Sequence, residues 1–302
     1  MPETVKTTRT ASRVLGWTLS TLMAPFARRF IAGTTLPSAL DVLAQLKSQG
    51  FSTTIDHLGE KVASKEETKI ATEQYVVMLK ALKERALDRN VSVKLSQLGL
   101  MIDPELCAIN LERIVKTAED VGGFVRVDME GSDATQATLD MVKRMKRTRL
   151  TPIGAALQAM LIRTPEDALA MVAREIPIRL CKGAYKEPAG LALQKMEDVQ
   201  RAFLSISKRL LTTGLFHGIA THDPYLIDEI KRFVSAQGIA KDRFEFQMLY
   251  GIRPRLQRQI VSEGWKLRVY VPFGRSWVPY TWRRIRERKE NALFILKHFF
   301  VR

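Results

Sequence analysis

Tyr280, Arg283, Arg284 and Glu287, in the stretch PYTWRRIRERKEN, stand at offsets of three, four and seven, the spacing that gathers side chains on one helix face. Two adjacent guanidinium forks aimed at one point are the geometry for gripping a carboxylate or phosphate. A Glu one turn further on can hold the forks and soften their mutual repulsion. The chemistry expected of this face is an anion clamp. Arg286, Arg288 and Lys289 crowd the same segment, so a plain solvated face would read similarly, and the clamp needs support from elsewhere in the chain.

Other chemistries lack their residues. His57, His217, His222 and His298 show neither H-E-x-x-H nor any paired metal-ligand spacing, and there is no G-x-S-x-G nucleophile elbow. No metal is expected. Cys107 and Cys181 are too few and too far apart for a disulfide framework or a thiolate metal site, which fits a reducing compartment. Cys181 stands beside Arg179, where a lowered thiol pKa is conceivable, but a small buried Cys in a packed layer is preferred.

The elements that must position a site recur along the chain. Short runs rich in Val, Ile and Phe appear eight times: STTIDHLGE, VSVKLSQLG, FVRVDME, LTPIGAALQA, IPIRLCKGAY, HGIATHD, RFEFQMLYG and KLRVYVPFG. Between them lie segments of helical apolar spacing such as EETKIATEQYVVMLKALKERALD and PYLIDEIKRFVSAQG. Repeated strand-then-helix order predicts an α/β fold, a distorted (β/α)8 barrel over residues 46–302, with residues 1–45 as an N-terminal helical extension. An open doubly wound sheet is the competitor; no G-x-G-x-x-G or G-x-x-x-x-G-K supports it.

Polar residues alternate along several of these strands: Arg126, Asp128 and Glu130 in the third, Glu245 and Gln247 in the seventh, Arg268 and Tyr270 in the eighth. Their opposite faces carry Val125, Val127 and Met129, or Phe244 and Phe246, as packing against outer helices requires. The polar face must then point into the barrel, where charges have to pair or bind something. Arg126 and Glu130 could form an internal ion pair, and His222 could be a satisfied core histidine. Together, however, Asp56, Lys94, Asp128, Gln158, Arg179, Lys182, His222, Gln247 and Tyr270 are more inward polar groups than a structural core uses. Cationic and amide donors in that number suit a large anionic cofactor together with a small carboxylate ligand.

The chain has 302 residues, 46% of them hydrophobic, and a formal charge of +16 from 48 Lys plus Arg against 32 Asp plus Glu. Such a charge attracts polyanions, anionic lipid or nucleic acid. The segment Val14 to Ala27 is too short to span a bilayer and is followed at once by Arg28 and Arg29, so a packed or interfacial helix is expected in place of a cleaved signal.

The motifs TIDHLGE, VKLSQLG, VRVDMEGSD, RLCKGAYKEP, ATHD, FEFQMLYGIR and YVPFGRSWVPYTWRRIRERKEN, in this order, resemble those of proline dehydrogenases of the short single-domain bacterial type, from about residue 28 onward. The resemblance implies a barrel that binds FAD non-covalently and oxidises L-proline to Δ1-pyrroline-5-carboxylate by hydride transfer to flavin N5. It further implies that Arg283 and Arg284 clamp the substrate carboxylate with Lys94 as a third cation, that Glu287 orients an Arg, and that Asp128 braces the cations. Tyr270 and Tyr280 would close on the proline ring, with Leu249 as apolar wall. Gln158, Arg179, Lys182, Tyr185 and His222 would hold FAD, Arg179 near N5. Electrons would pass to a membrane quinone; the charge of +16 and Arg28 and Arg29 then favour an anionic membrane surface, so the protein is expected in the cytoplasm, peripheral on the inner face of the membrane, with no nucleic acid as partner. Tyr270 argues against hydroxyproline oxidation, which goes with a small hydroxyl residue at that position. A non-catalytic basic barrel is the remaining alternative, and it gives no reason for inward Lys94 and Asp128.

Overall fold

The computed structural model describes residues 29–59, 62–148 and 151–286, with 282–286 as backbone. The helix expected over Val14 to Ala27 lies outside the described residues. Eight parallel strands close on themselves in sequence order. They are β1 (Ser52–His57), β2 (Asn90–Val93), β3 (Phe124–Val127), β4 (Ile153–Gln158), β5 (Ile178–Cys181), β6 (His217–Ala220), β7 (Phe244–Leu249) and β8 (Leu267–Phe273). Closure comes from β8 lying along all of β1, from Arg268 opposite Ser52 to Phe273 opposite His57. The closed sheet settles the competition with an open one and leaves no unpaired edge.

Helix α1 (Leu36–Ser48) precedes the barrel; Thr35 caps it, and Ala39, Leu40, Leu43 and Leu46 bury one face in the same core as the strands. Residue 45 therefore lies within a helix packed on β1 and β8. The outer layer continues with α2 (Lys65–Glu84), α3 (Leu95–Leu98), α4 (Pro104–Val121), α5 (Ser132–Met145), α6 (Thr164–Val172), α7 (Met196–Leu211), α8 (Pro224–Ala236), α9 (Pro254–Ser262) and α10 (Trp277–Arg286). Several starts are written locally. Ser64 accepts from Glu67 N, Asp103 from Glu105 N and Leu106 N, and Asp223 from Tyr225 N, with Pro in the first turn of α4 and α8.

Outward strand residues such as Ile55, Val91, Val93, Val125, Val127, Phe244, Phe246 and Val269 are buried beneath these helices. Each contributes roughly 1.5–3 kcal/mol by leaving water. Their inward neighbours are polar, as the alternation predicts. All eight strands are shorter than the sequence runs; β2 stops at Val93, β3 at Val127 and β6 at Ala220, and the rest of each of these three runs is the loop or helical turn that shapes the carboxyl end of the barrel. The run VSVKLSQLG contains a turn of helix, α3, which ends on Gly99 in the left-handed region at φ 104°.

Candidate active site at the carboxyl ends of the strands

The barrel interior is filled by charged and amide side chains tied to one another. Toward the amino ends of the strands, Arg126 donates to the carbonyls of Ala155 and Pro177 and stacks 4.8 Å from the Phe124 ring centre. Gly154 makes this possible, since a Cβ there would lie 2.5 Å from Arg126 Nη1. Burial first, and the Arg179 charge second, lower the Arg126 pKa to about 9. The ion pair considered between Arg126 and Glu130 does not form: Glu130 turns away to accept from Ser96 N at 3.0 Å and Ser96 Oγ at 2.5 Å, because β3 ends before it. Arg268 instead pairs with Glu245, Nε to Oε1 at 2.7 Å.

One layer higher, Arg179 of β5 reaches across the barrel. Its Nε donates to Gln247 Oε1 at 2.5 Å, Nη1 to Asp128 Oδ1 at 2.6 Å and Nη2 to Ser92 Oγ at 3.0 Å. Its guanidinium carbon lies 5.2 Å from the Tyr270 ring centre. Asp128, just beyond β3, also accepts from Tyr270 OH at 2.7 Å and from Lys94 Nζ at 3.5 Å. Lys94, at the end of β2, donates to Asp56 Oδ1 at 2.8 Å. Two cations and two carboxylates thus interlock around one phenol.

Electrostatics follow from that closeness. Burial raises the Asp56 pKa, and Asp128 nearby adds to the rise against the pull of Lys94. Burial opposes the Lys94 charge, yet Asp56, Tyr270 and Asp128 carry its pKa well above the ordinary value. Burial, then Asp128 and Asp56, push the Tyr270 phenol well up, so it stays a hydrogen-bond donor at neutral pH.

Above this cluster opens a cavity of about 610 Å³, within the span of cofactor sites, roughly 300–1,000 Å³. Its wall includes Lys94, Asp128, Gln158, Arg179, Lys182, Tyr185, His222, Leu249, Tyr270 and Tyr280, so the structure gathers ten of the residues expected from sequence on one surface. Arg283 and Arg284 follow Tyr280 on α10, their side chains outside the description, and Glu287 lies outside the described residues.

The upper wall is cross-tied. Gln158 Nε2 donates to Glu130 O at 3.0 Å and its Oε1 accepts from Ala184 N at 3.2 Å. Lys182 Nζ meets Asp223 Oδ2 at 2.7 Å, which also accepts from Gln200 Nε2 at 2.8 Å. His222 Nε2 accepts from Leu249 N at 2.8 Å, which puts the proton of the neutral ring on Nδ1 and fixes the apolar wall beside it. Gly183, at φ 125°, leaves no room for a Cβ against Met160. Cys181 donates to Leu157 O, and burial raises its thiol to about 11, so the cavity holds no ready thiolate. Among the described residues no group of three or more His, Cys, Asp or Glu could hold a metal ion.

Sequence reasoning gave no role to Ser92, Glu245 or Asp223. Ser92 and Glu245 follow the inward alternation, which was signal enough to place them. Asp223 stands in ATHD both as helix cap and as the partner of Lys182.

Fold and site together define a (β/α)8 barrel that carries, at the carboxyl ends of its strands where barrel enzymes place their sites, a cavity with cationic and amide donors on apolar walls. The proline dehydrogenase family model matches residues 39–297. Proline dehydrogenase 2 of Bacillus subtilis is 39% identical over 271 residues, 90% of this chain and 89% of that protein. The proline dehydrogenase of Deinococcus radiodurans is 36% identical over 275 residues, again 90% and 89%. The crystal structure of proline utilization A from Bdellovibrio bacteriovorus, inactivated by N-propargylglycine, superposes with a TM-score of 0.81 at 23% identity, covering 89% of this chain and 33% of that one. That likeness shows the barrel; this chain spans about a third of the longer protein. The chain belongs to the proline dehydrogenase family, which is flavin-dependent.

Proposed function

We propose that the cavity holds FAD and L-proline face to face, with the layer around Asp128 as the floor of the reaction site. Family membership gives the reaction, oxidation of proline to Δ1-pyrroline-5-carboxylate. The observation that supports the assignment is that Lys94 is engaged by Asp56 and Asp128 and Arg179 by Asp128, so the two cations balance the two carboxylates. A neutral floor leaves the substrate carboxylate to a further pair of cations. Arg283 and Arg284, one turn beyond cavity-lining Tyr280, are placed in sequence for that task, with Glu287 to orient them.

FAD, when bound, supplies the hydride acceptor. The chain supplies the rest. Arg179, Lys182 and Gln158 offer cationic and amide donors to its polar edge, and Leu249 and Tyr280 give the proline ring apolar surface. Clamping the carboxylate orients the ring carbon beside nitrogen, and the packed wall excludes water. The formal charge of +16 favours an anionic membrane surface, where a quinone would take the electrons.

Anaerobic titration tests these assignments together. L-proline is expected to bleach the visible absorbance of the FAD-loaded protein. Quinone in anionic vesicles should restore it faster than quinone in neutral ones, and Arg284→Met should need at least thirtyfold more proline for the same initial rate of bleaching. A colourless protein that takes up no FAD, or an Arg284→Met titration that overlays the parent, overturns the corresponding assignment.

A further inference from the structure

Gln247 is buried, 4% exposed, and its amide is held at both ends. Oε1 accepts from Arg179 Nε at 2.5 Å, and Nε2 donates to Glu245 Oε1 at 2.6 Å. A guanidinium only donates and an ionised carboxylate only accepts, so an amide between them has one orientation. Turned over, it would set N–H against N–H at one end and oxygen against oxygen at the other. Glu245 is fixed in turn by Arg268 Nε at 2.7 Å, and Arg268 by the Thr53 carbonyl at 2.6 Å. The neighbouring strand is shaped around the amide: a Cβ on Gly218 would lie 2.3 Å from Gln247 Nε2. Neither Glu245 nor Arg268 lines the cavity.

We propose that Glu245 and Gln247 are positioning residues, a polarised relay from Arg268 through Glu245 and Gln247 to Arg179 that fixes the plane in which the Arg179 guanidinium faces the cavity. Asp128 and Ser92 hold the other two nitrogens of the fork, and Gln247 is the contact whose acceptor end is set by a residue below the site. The consequence for catalysis rests on the assignment of Arg179 to the flavin; the relay itself rests on the hydrogen bonds. A fork rotated away from its three acceptors would meet the cofactor at the wrong angle, and well-placed donors lose their worth steeply with angle.

The test reads the relay without turnover. In the FAD-loaded protein labelled with ¹⁵N-arginine, the Arg179 Nε–H resonance is assigned by its loss in Arg179→Lys. It is expected to exchange slowly in the parent. Glu245→Gln retains an Oε1 for both Arg268 and Gln247 and should match the parent. Gln247→Leu removes the acceptor, and Gln247→Glu sets two carboxylates against each other; both should exchange at least tenfold faster, with kcat/KM for proline down about tenfold. The exchanged pair Glu245→Gln/Gln247→Glu restores a donor at 245 and an acceptor at 247 with no net change of charge, and should recover slow exchange and most of kcat/KM. An exchanged pair no better than Gln247→Glu alone overturns the relay, as does parent-like exchange in Gln247→Leu. Should Gln247→Glu not fold while the exchanged pair does, that rescue supports the relay directly. If exchange follows the relay while the flavin spectrum and kcat/KM stay constant across all variants, the relay stands and the assignment of Arg179 to the flavin falls.

Discussion

Asp128 is the residue on which the site turns. It receives a guanidinium from β5, a phenol from β8 and an ammonium from the residue after β2, so one carboxylate sets the positions of Arg179, Tyr270 and Lys94. The Tyr270 hydroxyl is held as a donor by the shift in its pKa, and its bond to an ionised acceptor at 2.7 Å is worth about 1.5–3 kcal/mol. Tyr270→Phe keeps the ring and loses that bond. Steady-state kinetics on the flavin-loaded variant should show kcat/KM for proline lower by about ten- to a hundredfold, while the expected preference for proline over hydroxyproline, assigned to the ring, should hold. A loss of less than threefold would mean that the hydroxyl does not brace Asp128.

At the scale of elements, the loops above the strands brace one another. The carboxylate that follows β3, Glu130, holds the first turn of α3, and its carbonyl is held by Gln158 from β4, whose amide oxygen in turn holds the loop after β5. Glu187 from that loop accepts from Ser132 N at 2.9 Å, at the start of α5. Lys94 is the residue before α3, so fixing α3 fixes the backbone of a cavity cation. Glu130→Ala should lower unfolding stability in urea by about 1.5–3 kcal/mol, with Glu130→Gln losing less than half as much because it can still accept from Ser96. An unchanged urea midpoint in Glu130→Ala would make the tie dispensable.

For the whole molecule, a buried histidine links the barrel to pH. His217 is fully buried at the start of β6, its Nδ1 accepting from Ile178 N at 3.1 Å and its Nε2 facing Thr213 Oγ1 at 2.9 Å. Burial first, and Arg126 second, push its pKa from 6.5 down to about 4. Between those values the unfolded chain binds a proton that the folded protein refuses. The stability is therefore complete above about pH 6.5 and is lost as pH falls toward 4. The fall from 6.5 to about 4 corresponds to about 3 kcal/mol. In His217→Asn, whose Oδ1 can still take the Ile178 N–H, urea unfolding between pH 4 and 7 should show a shallower slope by roughly that amount. Equal slopes would remove His217 as the source.

The sequence by itself determined the barrel and most of its lining. Alternation in FVRVDME, RFEFQMLYG and KLRVYVPFG settles which face each side chain takes, since strand neighbours point to opposite sides and the apolar set must meet the helices. The helix of Tyr280 was equally legible, from offsets of three and four. Partnership was not. Whether Arg126 meets Glu130 or two backbone carbonyls, and whether Lys94 stands free or between Asp56 and Asp128, depends on where β2 and β3 stop and on the stagger between strands distant in the chain. Gly154 and Gly218 show the reason. Each reads locally as a weak strand residue, but the Pro177 carbonyl and Arg126 fill the space a Cβ on Gly154 would take, and Gln247 fills it at Gly218, a demand that exists only once the sheet has closed.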